Sequence, residues 1–416
     1  MKFFCLFLCF TAFSTAFPAQ APDGAFAPLA PHPRRFCIND FGATSGGAGK
    51  CTAAFARAVS AAASAGGGEV VVPPGEWLTG AIELKSGVTL RVEKGATVVF
   101  TDDIADYPEI TTPHEGREIA WPCPLIGAKG AERIAVTGGG TLACRTEKWW
   151  PKDFWKGDRR KAERRPHFMT FDRCRDVTLD GFTIRESPCW TIHLYCSTNV
   201  TVRNLDVAAH GPNSDGIDIE SSCDVLLENC RFEQEDDVIC FKSGRDEEGR
   251  ARNIPTERVT VRNCTAHSGH ALFALGSELS GGLRDIVLED CRVDGGVERL
   301  FRIKTNPLRG GYIRNVRARR IRAKDVSDAV VSVRNDYYCI SGVGMYCWTP
   351  ELGIGRQLCE TEISDVSVED VAVESAGRRH EIRWIGEKPL SGLRTENVCV
   401  DSVHAPDLLE GCHDDF

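Results

Sequence analysis

Aromatic residues make up only 8% of this 416-residue chain, and beyond the N-terminus no apolar run is long enough to span a bilayer. A membrane span is therefore not expected. No CxxC or Cys/His pair has the spacing of a zinc site, so neither a metal nor a cofactor is expected. Excess base is also missing. The formal net charge is −9, which offers no overall field for nucleic acid. An anionic substrate would have to be met by locally concentrated cations. What the chain does have is 40 glycines, with Val, Ile and Leu in its periodic segments. That composition suits β-structure with many tight turns better than a helical bundle.

The first 21 residues read as a secretory signal, with Lys2 as the charge, Phe3 to Phe13 as the apolar core, and small residues at Ser14-Thr15-Ala16 and Ala19-Gln20-Ala21. The expectation is an exported protein, secreted or periplasmic, with residues 22–416 forming one domain and acting as a monomer. Removing Cys5 and Cys9 from the 19 cysteines leaves 17, an odd number. Export permits disulfides. Cys230, Cys264 and Cys291, however, occupy one equivalent place in a repeat, where stacked small core residues are the better reading.

That repeat runs Asp176-Val-Thr-Leu-Asp-Gly-Phe182, Asn199-Val-Thr-Val-Arg-Asn-Leu205, Asp224-Val-Leu-Leu-Glu-Asn-Cys230, Arg258-Val-Thr-Val-Arg-Asn-Cys264 and Asp285-Ile-Val-Leu-Glu-Asp-Cys291. Further copies are Asn315-Val-Arg-Ala-Arg-Arg-Ile321 and Asp365-Val-Ser-Val-Glu-Asp-Val371, with a fainter one at Arg133-Ile-Ala-Val-Thr-Gly138. Its alternation has the period of a strand with one buried face. The Asn, Asp or Gly near its end suits a turn with positive φ. Val177, Val200, Val225, Val259, Ile286 and Val316 are separated by 23, 25, 34, 27 and 30 residues. A propeller blade needs more, and a leucine-rich repeat would show its own signature. Coils of roughly 22 residues with insertions predict an all-β right-handed parallel β-helix, three short strands per turn, stabilised by neighbour-on-neighbour stacking. The Ala-rich stretch Thr52 to Ala65, stopped by Gly66-Gly67-Gly68, predicts an N-terminal capping helix, and Glu69 to Val72 the first strand. Asp102 to Arg165 is poorly periodic. With four tryptophans (Trp121, Trp149, Trp150, Trp155), it reads as loops that rim a groove or cover a local core.

Four polar clusters sit on successive coils: Asn213-Ser214-Asp215, Asp236-Asp237, Gly269-His270 and Arg302-Ile303-Lys304. Asp236 and His270 each lie 11 residues after their anchors, Val225 and Val259, and so share one place in adjacent coils. Alternation points Arg302 and Lys304 the same way, a fork suited to a carboxylate. Adjacent Asp236 and Asp237 would point to opposite faces unless the chain bends. A bend is expected, because burying an unpaired carboxylate is costly. Taken singly, each aspartate and His270 would be structural more often than catalytic; their coincidence with the cation pair argues otherwise.

Here the chain resembles the polygalacturonase-type glycoside hydrolases of family 28, which have the pectin-lyase-like β-helix. Their Asn-Thr-Asp, Asp-Asp, Gly-His-Gly and Arg-Ile-Lys motifs appear as Asn213-Ser214-Asp215, Asp236-Asp237, Gly269-His270-Ala271 and Arg302-Ile303-Lys304. Flanking matches include Asn39-Asp40-Phe41-Gly42, Pro74-Gly75-Glu76-Trp77, Ser187-Pro188-Cys189-Trp190 and Pro389-Leu390-Ser391-Gly392. The resemblance covers nearly the whole mature chain. It implies inverting hydrolysis of α-1,4-galacturonosyl linkages in pectin. Asp236 would be the acid, kept protonated by neighbouring carboxylates, and Asp215 and Asp237 would activate water. His270 would tune the acid or hold the sugar. Asn213, Arg302, Lys304 and the aromatic Tyr337 would bind substrate. Exo action is favoured over endo through closure by the loops at 102–165 and 245–258. Rhamnogalacturonan or xylogalacturonan stays open as substrate. So do a non-catalytic carbohydrate-binding β-helix and a calcium-dependent pectate lyase. Ala271, where the family has Gly, puts the fine geometry of His270 in question.

Overall fold

In the computed structural model, Val177, Val200, Val225, Val259, Ile286 and Val316 are direct cross-strand partners, each in parallel register with the next. The structure describes residues 32–150, 164–340, 344–347, 353–386 and 389–412. The N-terminal signal expected from the sequence, and Trp155, lie outside the described residues.

The anchors belong to one face of a right-handed parallel β-helix. A second face stacks Thr183–Arg185, Asp206–Ala209 and Arg231–Gln234. The third stacks Met169–Asp172, Ile192–Tyr195, Ile217–Glu220 and Ile239–Lys242. All three faces turn their Val, Ile, Leu and Phe inward into one continuous core. Each such buried side chain contributes about 1.5–3 kcal/mol of transfer free energy. The stacked cysteines belong to this core, with Cys230, Cys264 and Cys291 each no more than 2% exposed.

The turn residues show why the repeat opens on a polar position. Asp176, Asn199, Asp224, Arg258, Asp285, Asn315 and Asp365 all have positive φ, from 51° to 57°. Asn and Asp tolerate this left-handed conformation better than other side chains. Seven stacked aspartates would repel one another at about 4.8 Å. The column instead alternates Asp with Asn or Arg, and the pairs bond: Asn199 Nδ2 to Asp176 at 2.5 Å, Arg258 Nε to Asp224 at 2.7 Å, Asn315 Nδ2 to Asp285 at 2.6 Å.

Thr52–Ser64 forms the expected helix and buries Ala54, Phe55, Ala58, Val59 and Ala62 against the first coil. Two expectations need correction. The first strand is Arg35–Cys37, paired with Gly68–Val72, rather than the segment starting at Glu69. The stretch from Asp102 to Arg165 is not loop throughout. Ile126–Lys129, Glu132–Gly138 and Thr141–Cys144 form a complete coil in register with its neighbours. Its strands match those of the next coil in length, and of the three only Glu132–Gly138 carries the repeat, as the copy that begins at Arg133. The excursion is an antiparallel hairpin, Glu109–His114 with Arg117–Pro122. Trp149 is local core, 1% exposed and edge-on to Tyr107.

Candidate active site

The third face carries its polar residues outward between inward apolar ones. Ile217-Asp218-Ile219-Glu220 and Ile239-Cys240-Phe241-Lys242 are adjacent rungs, pairing Asp218 with Cys240 and Glu220 with Lys242. Just before these strands lie Asp215 and Asp237, stacked through the bond from Gly216 N to Asp237 O at 3.0 Å. The chain bends between Arg231–Gln234 and Ile239–Lys242. Asp236 therefore stays part-exposed, at 22% for its side chain, while Asp237 is fully buried on the same side.

Asp236 meets His270 on the next coil, with His270 N bonding to Asp236 O at 2.9 Å and His270 Nδ1 to Asp236 Oδ1 at 3.0 Å. Gly269 makes this approach possible: it has φ 154°, and an added Cβ would stand 2.5 Å from Val238 Cγ2 and 2.9 Å from Asp236 O. The methyl of Ala271 is buried with Cys240 and Ala274, apart from the interior core, and leaves His270 on Asp236.

Arg302 and Lys304 stack on Ala274 and Gly276 of the preceding coil. Both turn toward Asp237: Lys304 Nζ donates to Asp237 Oδ2, and Arg302 Nη1 lies 3.8 Å from Asp237 Oδ1. Both also stand 5.3 Å from the Tyr337 ring. The fork read from the alternation therefore exists, and it already holds a carboxylate of the protein. Asn213 is exposed at the rim, its Oδ1 accepting from Arg165 Nη2 at 2.8 Å.

The electrostatics sort the three aspartates. Burial and the neighbouring Asp218 raise the Asp215 carboxyl well above the usual range. Burial pushes Asp237 the same way, but Lys304 outweighs it and holds Asp237 below that range. For Asp236 burial is likewise overcome, by the hydrogen bond and charge of His270, and its carboxyl is lowered. Burial would depress His270, yet Asp236 raises it to about 9. The sequence argument placed a proton on Asp236 through like-charge repulsion. In the structure the balance tips the other way, with Asp236 lowered and His270 raised, because an imidazole within hydrogen-bond reach outweighs the neighbouring carboxylates.

Several residues of the site were not singled out from the sequence. Cys240 donates its thiol to Asp215 Oδ2 at 3.3 Å. Lys242 lies 3.5 Å from Asp218 and 3.2 Å from Glu278. The alternating IDIE and ICFK segments carried that signal, since polar residues at outward positions three residues after Asp215 and Asp237 must share their surface. Ligand atoms of Asp215, Asp237 and Cys240 lie within 4.8 Å of one another and could hold an ion, but the Lys304 ammonium already neutralises Asp237 there.

Toward the N-terminus the strip is closed. Below Asp215 the same place is taken by Trp190 and then His167, with rings stacked 5.0 Å apart. The hairpin roofs them: His114 bonds His167 at 3.0 Å and stacks on Trp121 at 4.0 Å. Burial keeps both imidazoles neutral, with His114 lowered to about 3 and His167 well below its ordinary value. The tip touches the 245–252 segment, Arg245 N bonding Gly116 O at 3.2 Å. Gly116 is needed there, because an added Cβ would lie 2.7 Å from Arg245 Cβ.

Comparison with known proteins bears on the fold and the family. The chain is 29% identical over 376 residues to a probable polygalacturonase of Vitis vinifera, covering 87% of this chain and 73% of that protein. Its structure is similar to that of a hyperthermoactive exopolygalacturonase from Thermotoga maritima, with a TM-score of 0.82 and 30% identity over 93% of this chain and 91% of that one. The family 28 exopolygalacturonase of Yersinia enterocolitica shares the fold at a TM-score of 0.74 and 21% identity, over 92% of this chain and 79% of that one. The profile of the glycosyl hydrolases of family 28 matches residues 65–412, and the chain belongs to that family.

Proposed function

We propose that the protein hydrolyses α-1,4-galacturonosyl linkages of pectic polygalacturonate with inversion, releasing galacturonate from the non-reducing end. The observation that carries this is one strip holding Asp215, Asp236, Asp237, His270, Arg302 and Lys304, open toward the C-terminal coils and closed by Trp190, His167 and His114. Asp236 lies beside the leaving oxygen, and the proton it delivers is the one shared with His270 Nδ1. Asp215 and Asp237 hold the attacking water, and Asp237, kept ionised by Lys304, takes its proton, with the water admitted between acid and base as in an inverting site. Arg302 and Lys304 keep donors beyond those spent on Asp237 and meet the carboxylate of the sugar on the leaving-group side, with Tyr337 beneath them. The sugar attacked at C1 lies over Asp215, next to the closed end, so little room is left for further units on its non-reducing side. No cofactor or metal enters this scheme.

Two measurements test it. Digestion of polygalacturonate followed over time should give monomer alone from the first sample; an early ladder of oligomers would mean internal cleavage and defeat the chain-end reading. The pH profile should fall on its alkaline side as pH rises through about 9, where His270, raised by Asp236, loses its proton. His270→Gln should remove that limb and lower kcat about 100-fold. An unchanged limb in the variant would take the proton store away from His270.

A further inference from the structure

Each aspartate of the strip is held by one side chain from a different rung. His270 holds Asp236, and Lys304 holds Asp237. Asp215 is held differently. Its side-chain donor is the Cys240 thiol, 3.3 Å from Oδ2, and among the described residues no other side chain donates to that carboxyl. Lys242, two residues further along the same strand, is engaged by Asp218 and Glu278.

The register explains how a cysteine reaches this place. Alternation along Ile239–Lys242 turns Cys240 away from the core, between Asp218 on the preceding coil and Ala274 on the next. It is fully buried, and its apolar neighbours outside the core are the small residues Ala271 and Ala274. Sγ and one oxygen each of Asp215 and Asp237 lie within 4.8 Å of one another, so the thiol borders the space between the two carboxyls. The main chain of Asp215 is already fixed. Thr191 N donates to Asp215 O at 2.8 Å, Gly216 N to Asp237 O at 3.0 Å, and Ser214 Oγ to Ala209 O at 2.9 Å. What stays soft is rotation of the carboxyl itself, a broad torsion in aspartate. A donor on Oδ2 removes that freedom and leaves Oδ1 for another partner.

A thiol suits the task because it adds no charge. A cation here would hold Asp215 down, as Lys304 holds Asp237. Burial, with Asp218 and Asp215 beside it, instead raises the Cys240 thiol well above its usual range, so it keeps its proton and can only donate. Asp215 is thereby ordered while its carboxyl stays raised and that of Asp237 stays lowered. Two carboxyls sharing one water are kept at different protonation levels, which separates the one that orients from the one that accepts the proton.

We propose that Cys240 is a positioning residue for hydrolysis, its thiol fixing the rotation of the Asp215 carboxyl so that Oδ1 faces the attacking water. This rests on the hydrolysis proposed above, in which Asp215 and Asp237 hold that water.

The test compares the full-length parent with Cys240→Ala and Cys240→Ser on polygalacturonate. Cys240→Ala should lower kcat about three- to tenfold, the effect of one lost neutral hydrogen bond, with KM unchanged. Cys240→Ser keeps a donor and should recover most of the loss. An infrared difference spectrum, parent minus Cys240→Ala, isolates the Cys240 S–H stretching band. That band should move to higher frequency in Asp215→Ala, where its acceptor is gone. An unchanged kcat in Cys240→Ala, an equal fall in Ala and Ser variants, or a rise in KM alone would each overturn the role and leave the hydrolysis standing. A band unmoved by Asp215→Ala would overturn it without reference to activity. Should Cys240→Ala not fold, as judged by its circular dichroism, parent minus Cys240→Ser isolates the same band and the same criterion decides. No release of galacturonate by the parent would remove the hydrolysis, and the positioning role with it.

Discussion

Asp236→Asn should lower kcat by about 10²–10⁴-fold, the range expected for loss of a general acid. Fold and KM should be nearly preserved. The amide keeps the size of the side chain but carries no proton of suitable acidity. It also removes the negative charge that raises His270 to about 9. Two consequences then appear together: slow turnover and a His270 that titrates nearer its ordinary value. NMR titration of the imidazole checks the second independently of catalysis. Turnover within tenfold of the parent would transfer the acid role elsewhere, with Asp215, whose carboxyl is raised well above the usual range, as the first candidate.

Lys304→Ala should be as damaging, for a different reason. Asp237 is fully buried, and Lys304 is the largest influence holding its carboxyl below the usual range; Arg302 stays 3.8 Å away. Removing one partner of a buried pair costs about 3–5 kcal/mol, because the remaining charge is left uncompensated. Asp237 then rises toward protonation and ceases to serve as a base. A folded-state carboxyl held low contributes stability above its unfolded value and loses it as pH falls through the folded value. The substitution removes that contribution at neutral pH, so Tm should drop most at neutral pH and least in acid. The acid limb of kcat should move to higher pH. If kcat held and only KM for charged substrate rose, the ammonium would serve the substrate alone.

These predictions also mark what could be read from residue order. The anchors Val177 to Val316 became exact cross-strand partners because a β-helix stacks each coil on the last, which makes spacing along the chain a measure of position in space. The same counting placed His270 over Asp236. It fell short at Ile126 to Cys144, where only Glu132–Gly138 carries the repeat, and where a contact depended on side-chain reach. Arg302 and Lys304 were legible as a fork, but not their engagement of Asp237, which lies 67 residues before Lys304. Asp218, Cys240 and Lys242 were visible only as outward positions of two alternating strands.

Repetition therefore determined the coils, the shared strip and the family of chemistry, because local alternation and the rung spacing leave one register for each strand. The tertiary structure alone decided two things. It lowered Asp236 and raised His270, since that depends on the balance between burial and the hydrogen bond and charge that the two share. It also closed the N-terminal end of the strip, because the Glu109–Pro122 hairpin follows no repeat and finds its place only by docking His114 on His167 and Gly116 against Arg245.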